Sequence, residues 1–302
     1  MGVLQLPFFL LFGYLLQRFI SVELQERMVR YLNAFIIYIS LPSLVLVYML
    51  DLVFENKFIL PIASIWGLFF FFTAFVLWIA HKLNWTRSLT GAMLMLVPFG
   101  NTSFLGIPFT QAYFGKEGIP YAIVCDQLGS FLILSTVGIV LLSYFSKQEA
   151  SVGRIVKRVL SFPAFLALIF VFFFDSNIFA SWFMTILEFL ASTLTPLALL
   201  SIGLFLKLKL DKEKLLAFSI ALGLKLFAVP LLILGIFYFF NVDGLVAEVI
   251  VFESGMAPMV SSSLLAISVG LEKRFVASVL GYGILLSFVT LPILYEIIGL
   301  VL

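Results

Sequence analysis

Long apolar segments separated by short polar stretches follow one another along the whole chain of 302 residues. A helix needs about 20 apolar residues to cross a bilayer, and ten segments meet this length or come close to it. They cover residues 3–19, 32–50, 58–80, 89–114, 119–145, 159–174, 180–206, 215–240, 245–269 and 275–300. Each is apolar on every face and is longer than the alternating strands of a barrel. The pattern predicts an all-α integral membrane protein with ten transmembrane helices.

The basic residues of the connecting loops are concentrated on one side. Of the 18 Lys and Arg residues, 15 fall in the first, third, fifth, seventh and ninth loops, while the opposite side holds only Lys57 and Lys116. Because Lys and Arg accumulate in short cytoplasmic loops, the odd loops are predicted to be cytoplasmic. We therefore expect a multi-pass protein of the plasma (inner) membrane with both termini outside the cytoplasm.

The ten segments divide into two halves around the central basic loop. Each half contains five segments, and halves with an odd number of helices are inserted in opposite orientations. Residues 1–150 and 151–302 are thus predicted to form two inverted five-helix repeats. Pro108 and Pro258 occupy corresponding places in the fourth and ninth segments, which agrees with a repeat.

The fourth and ninth segments contain residues that interrupt helices. The fourth reads VPFGNTSFLGIP over 97–108, and the ninth reads ESGMAPMVSSS over 253–263. Proline removes a backbone donor and clashes with the preceding turn, and glycine loosens the backbone. Unwound backbone in hydrocarbon is tolerated only where protein or water satisfies it. We therefore predict two broken, crossing helices that share a polar site, with second half-helices beginning at Pro108 and Pro258.

The amino ends of half-helices attract anions, whereas carboxyl ends and unwound carbonyls suit cations. A small organic anion is therefore the predicted ligand, and the amide of Asn101 is suited to contact it. A packing kink is the alternative for one break, but two breaks in corresponding halves favour a binding site. The candidate substrate-binding residues are Gly100, Asn101, Thr102, Ser103, Gly106, Pro108, Ser254, Met256, Pro258 and Ser261.

Three ionisable residues, Asp126, Lys225 and Glu253, are predicted to lie near the membrane midplane, where a charge costs about 2.5 to 3.5 kcal/mol. Asp126, its neighbour Gln127 and Glu253 are candidates for coupling to a proton or to a sodium ion near Glu253 and Asn101. Lys225 is a candidate to compensate their charge or to steer a substrate carboxylate. A Lys–carboxylate pair with a purely structural role is the alternative.

Composition excludes several other classes of protein. With 63% hydrophobic and 11% charged residues, a soluble globule is ruled out. The net charge of +2 and the lack of a basic run interleaved with aromatics argue against nucleic-acid binding. Cys125 and His81 are the sole residues of their types, so multi-cysteine and two-histidine metal sites are excluded and no cofactor is expected. The sequence also lacks a recognisable paired-carboxylate, Ser–His or metal-binding motif of the kind that an intramembrane enzyme needs. For Glu188, in the seventh segment, structural and functional roles are equally open.

Residues 100–108 (GNTSFLGIP) resemble the fourth-helix signature of the auxin efflux carrier family. Residues 253–258 (ESGMAP) resemble the ninth-helix counterpart, and residues 126–129 (DQLG) are similar to a polar patch of prokaryotic members. The chain has neither the Asn-Pro-Asn-x-Tyr form nor the long central loop of the plant hormone exporters. The resemblance is therefore to a prokaryotic-type member within the wider superfamily of bile-acid, arsenite and riboflavin transporters.

This resemblance implies secondary transport of a small organic anion by alternating access. It implies a mobile transport domain of spans 3–5 and 8–10 that moves elevator-like against a scaffold of spans 1, 2, 6 and 7, usually in a homodimer within the lipid bilayer. Coupling to protons or sodium, or uniport, stays open. The alternatives are a sodium-coupled symporter of the bile-acid type and a channel or membrane receptor built on the same helices.

Overall fold

The computed structural model describes residues 5–50, 52, 58–146, 152–210 and 212–302. Within these ranges the chain is helical, and its strand-like pairing is a single isolated bridge. The helices are α1 (Gln5–Leu16), α2 (Val22–Met49), α3 (Ile59–Lys82), α4 (Arg87–Leu96), α5 (Thr102–Ser146), α6 (Val152–Leu160), α7 (Pro163–Val171), α8 (Ser181–Phe205), α9 (Lys212–Phe240), α10 (Leu245–Ser254), α11 (Val260–Ser268) and α12 (Lys273–Val301).

Six of the described helices, α2, α3, α5, α8, α9 and α12, are long and apolar enough to cross a membrane. The predicted all-α membrane class is therefore confirmed. The 45 residues of α5 would extend about 68 Å as a straight helix, more than twice the hydrocarbon core. The backbone leaves the helical region at Gly115 (φ 68°, ψ −160°), between the predicted fourth and fifth spans.

The other predicted spans correspond to shorter pieces. They are α1, α4 with the beginning of α5, α7, and α10 with α11. The count of ten spans and the inverted repeat therefore stay predictions. The orientation also stays a prediction: among the basic residues on which it depends, Lys57, Lys147 and the side chain of Arg154 lie outside the described residues.

Three helices contain a widened turn that ends two residues before a proline. The turns Ile36–Ser40, Thr102–Gly106 and Leu224–Ala228 precede Pro42, Pro108 and Pro230, respectively. A proline inside a helix cannot donate a hydrogen bond, and its ring collides with the carbonyl four residues earlier. In each case that earlier residue lies inside the widened turn, which relieves the collision.

The expected half-helix starts were therefore wrong in position. The helix after the first break begins at Thr102 rather than at Pro108, because the widened turn accommodates the proline inside the helix. The helix after the second break begins at Val260, two residues beyond Pro258. Pro258 itself lies in the break.

The chain divides into two compact units that interleave along the sequence. Unit 1 takes described residues of 1–55, 103–123 and 156–206, and unit 2 takes those of 56–102, 124–155 and 207–302. Unit 1 thus holds α1, α2, α7, α8 and an early part of α5. Unit 2 holds α3, α4, the later part of α5, and α9 to α12. The break before α5 brings the chain from unit 2 into unit 1.

Close contact between α1 and α8 stabilises unit 1. A Cβ atom added to Gly13 would overlap the carbonyl oxygen of Leu200, and one added to Gly203 would overlap that of Leu10. Small residues at such positions let two membrane helices approach backbone to backbone. Gln17 adds hydrogen bonds from its side-chain nitrogen to carbonyls at the end of α8.

In unit 2, α3 packs against the widened turn Cys125–Phe131 of α5. The indole nitrogen of Trp66 donates to the Leu128 carbonyl at 3.0 Å. Gly129 allows Ile65 to approach, because an added Cβ would lie 2.9 Å from that side chain. These contacts fix the turn that carries the polar residues of the fifth span.

Gly13→Ala is expected to destabilise the protein by about 1 to 3 kcal/mol, because the new methyl group overlaps backbone that cannot rotate away. Thermal unfolding of the purified full-length protein in detergent measures the effect. Gly67→Ala in α3 is the matched control, since a Cβ there meets nothing within 4 Å. Equal melting temperatures for the two variants would contradict the close α1–α8 contact.

Candidate functional site

The two broken segments pair backbone to backbone inside unit 2. The N–H of Asn101 donates to the carbonyl of Ala257 at 2.9 Å, and the N–H of Met259 donates to the carbonyl of Phe99 at 3.1 Å. All four residues are buried. Each break thus supplies hydrogen-bond partners for unwound backbone of the other, which is the condition for irregular backbone at this depth.

Gly100 and Pro258 face each other at the centre of this antiparallel bridge. They form the non-hydrogen-bonded pair, in which N–H groups point away from the partner strand and Cα atoms approach to about 4.5 Å. Proline loses no bridge hydrogen bond there, and glycine tolerates the close approach. A Cβ at Gly100 would also lie 3.3 Å from the ammonium nitrogen of Lys225, so the missing side chain leaves room for that group.

The two first half-helices, α4 and α10, each have a last-turn carbonyl that accepts a hydrogen bond from a side chain. The hydroxyl of Ser262 donates to the carbonyl of Met95 at 2.6 Å, and the ammonium of Lys225 donates to the carbonyl of Ser254 at 3.0 Å. Carbonyls in the last turn have no intrahelical partner and carry partial negative charge. The Ser254 hydroxyl bonds its own helix at Val251, as helical serines often do.

Asp126 lies at the centre of a second buried cluster. Its carboxylate oxygens accept hydrogen bonds from the Thr102 hydroxyl and from the Gln127 side-chain nitrogen, each at 2.6 Å. Thr102 directly follows the first break, so this cluster connects the break to the widened turn of α5. All three side chains are buried.

The side chain of Asn101 differs from its neighbours. It is 2% exposed, and its amide nitrogen has no hydrogen-bond partner within the described residues. A buried donor without a partner costs about 1 to 3 kcal/mol, so such groups in native structures call for an explanation. The amide is available to a ligand.

A cavity of about 20 Å³ lies beside the bridge in unit 2. Its lining includes Gly100 and the polar side chains of Thr102, Ser130, Lys225, Glu253 and Ser254. Glu253 and Lys225 are buried and interact electrostatically. The volume suffices for about one water molecule and is far below the roughly 300 Å³ at which ligand pockets begin. This cavity by itself therefore has no room for an organic anion.

The structure brings together most of the predicted site residues. Those in unit 2 that are buried at or next to the bridge are Gly100, Asn101, Thr102, Asp126, Gln127, Lys225, Glu253, Ser254, Met256 and Pro258. Ser261 is half-buried in the first turn of α11. Ser103, Gly106 and Pro108 belong to unit 1, where Ser103 is half-buried and the other two are buried. Glu188 is exposed on α8.

Two residues that the sequence reasoning missed take part in the site. Ser262, rather than Ser261, bonds to α4, because the register of α11 decides which serine faces that helix. Ser130 lines the cavity and lies four residues after Asp126. This spacing places both side chains on one helix face, and it is the sequence signal by which Ser130 could have been predicted. Among the described residues, no group of three or more His, Cys, Asp or Glu side chains is arranged to hold a metal ion.

Comparison with known proteins agrees with this description. A family described as "Membrane transport protein" matches residues 1–295. An uncharacterized transporter of Methanothermobacter thermautotrophicus is 30% identical over 300 residues, which cover 96% of this chain and 95% of that protein. An uncharacterized transporter of Methanocaldococcus jannaschii is 28% identical over 265 residues, which cover 84% and 85%. The chain therefore belongs to the membrane transport protein family, that of the auxin efflux carriers, and is a multi-pass transport protein rather than an enzyme.

Proposed function

We propose that the protein is a secondary transporter that moves a small organic anion, a carboxylate, across the membrane by alternating access. The observation that carries this proposal is the buried amide of Asn101, which has no hydrogen-bond partner within the described residues. Asn101 lies in the bridge between the two broken segments. One side of the bridge directly precedes α5, which begins at Thr102, and the other directly precedes α11, which begins at Val260.

The balance of donors and acceptors favours an anion. At the carboxyl ends of α4 and α10, the carbonyls of Met95 and Ser254 already accept hydrogen bonds from the Ser262 hydroxyl and the Lys225 ammonium. The first turns of α5 and α11 have N–H groups without intrahelical partners, and these carry partial positive charge. Together with the Asn101 amide they form a set of donors, which a carboxylate matches with its acceptor oxygens.

The small volume of the cavity supports alternating access over an open channel. At about 20 Å³, the cavity beside the bridge holds roughly one water molecule, so an organic anion would enter it only after a conformational change. The division into two compact units supports an elevator-type movement, with unit 2 as the transport domain and unit 1 as the scaffold. Ten spans in two inverted repeats, a homodimer, and an inner-membrane location with both termini outside belong to the same proposal.

Lys225 favours proton coupling or uniport over sodium coupling. Half-helix carboxyl ends are the usual ligands of coupling cations, and here the Lys225 ammonium contacts the Ser254 carbonyl at the end of α10. In this proposal the lysine supplies the positive charge that a sodium ion near Glu253 and Asn101 would otherwise bring. Asp126 and Glu253 are the groups that would carry a coupling proton, because each lies in a buried polar cluster.

Asn101→Ala is expected to lower uptake about tenfold or more, since it removes a donor aimed at the substrate, whereas the melting temperature stays unchanged or rises because a buried unpaired donor is lost. Proteoliposomes supplied with ¹⁴C-labelled pyruvate, succinate or phenylacetate measure uptake. Asn177→Ala on an exposed loop is the control.

Unchanged uptake by Asn101→Ala would place the binding site elsewhere. A wild-type protein that takes up none of the three acids would contradict the carboxylate assignment. Loss of uptake together with loss of stability would mean that Asn101 acts in folding.

The charges of Lys225 and Glu253 are expected to depend on each other. Lys225→Met leaves the buried carboxylate uncompensated and is predicted to destabilise the protein by about 3 to 5 kcal/mol. The double variant Lys225→Met/Glu253→Gln recovers most of this loss. Thermal unfolding of the wild type, the two single variants and the double variant measures this double-mutant cycle. Lys116→Met at an exposed position is the control. If the two effects are simply additive, the residues do not compensate each other.

A further inference from the structure

A second cavity in unit 2, of about 420 Å³, is strongly basic. Its charged lining consists of Lys207, Lys209, Lys212, Lys273, Arg274 and Glu213. Five basic side chains thus share one cavity with one acidic side chain. The cavity lies where α9 and α12 begin, at Lys212 and Lys273, and therefore at the polar ends of two membrane helices rather than in their apolar middle.

One wall of this basic cavity is held in place by α12. The hydroxyl of Ser278, a buried residue, donates to the carbonyl of Lys209. A Cβ added to Gly281 would overlap the carbonyl of Lys207, so the segment 207–209 lies directly on α12. The lysine side chains of this segment therefore project from a fixed backbone, which reduces the ordering cost of binding a ligand.

Among the described residues, neighbouring acidic side chains leave most of the positive charge of the lining uncompensated. Glu272, just before α12, is paired with Lys214 in a salt bridge and so does not neutralise the lining. Glu213 is the acidic residue of the lining, and Asp211 lies outside the described residues. Like charges that line one cavity repel each other, and an anion in the cavity relieves that repulsion.

We propose that the basic cavity binds a phosphate-bearing anion, with the headgroup of an anionic phospholipid as its source. Lys and Arg are the side chains that bind phosphate oxygens most strongly. The volume fits a small-molecule ligand, and basic pockets between membrane helices bind anionic headgroups. The amino end of α12 adds a favourable dipole. This inference is independent of the transported substrate.

The position of the cavity gives such binding a structural consequence. Unit 1 ends at residue 206, and unit 2 resumes at residue 207, so the segment that begins with Lys207 continues the chain from one unit into the other. A bound headgroup would attach this segment to the membrane surface.

Native mass spectrometry of the full-length protein, titrated with phosphatidylglycerol or with phosphatidylcholine, tests the proposal. We expect phosphatidylglycerol to bind about tenfold more tightly than phosphatidylcholine. The triple variant Lys207→Gln/Lys209→Gln/Lys212→Gln is expected to lose this preference. The pair Lys273→Gln/Arg274→Gln, from the other wall, is expected to reduce it as well. The control Arg18→Gln/Arg27→Gln/Arg30→Gln removes the same number of charges from unit 1 and should keep the preference.

Competition with millimolar inorganic phosphate distinguishes a lipid headgroup from a free phosphate ion as the ligand of the basic cavity. Retention of phosphatidylglycerol in its presence supports the lipid as ligand, whereas displacement supports a phosphate anion and overturns the lipid as its source. Equal binding by the wild type and the triple variant would overturn the site. An equal loss in the control variant would also overturn it, because the preference would then reflect total charge alone.

Discussion

The backbone pairing of two broken helices is the interaction on which the rest of the site depends. Hydrocarbon offers no hydrogen bonds, so each interrupted segment needs a partner for its unwound backbone. Here Asn101 and Met259 donate across the bridge to carbonyls of the opposite segment. Gly100 and Pro258 face each other where the geometry requires neither an N–H group nor a side chain. The bridge brings the ends of the half-helices to one place.

This arrangement separates the electrostatics of the site into two parts. One last-turn carbonyl of α4 and one of α10 accept hydrogen bonds from Ser262 and Lys225, respectively. The side-chain amide nitrogen of Asn101, in contrast, is a buried donor at the bridge with no hydrogen-bond partner within the described residues. In the proposed function an anionic substrate binds this unused donor. The cavity beside the bridge, at about 20 Å³, is too small to hold such an anion without a change of conformation.

Much of this was accessible from the sequence, because membrane insertion leaves a strong pattern. Apolar length predicts the helices, and clustered Pro and Gly predict the breaks. The exact half-helix starts could not be predicted, since a proline fits equally into a helix just after a widened turn, as at Pro108, or into a bridge, as at Pro258. Helix register likewise decided that Ser262 and not Ser261 contacts α4. The basic cavity depends on tertiary packing, although its basic residues are among the 15 of the odd-numbered loops.

Residue-resolved amide hydrogen exchange at Asn101 and Met259 in the full-length protein tests the bridge most directly. Exchange reports the local free energy of opening, so regular and irregular backbone can be compared on one scale. The bridge predicts that both amides are protected as strongly as the amides of α4 and α10, although neither residue lies in an α-helix. Exchange as fast as in an exposed loop would contradict the pairing of the two breaks and the site built on it.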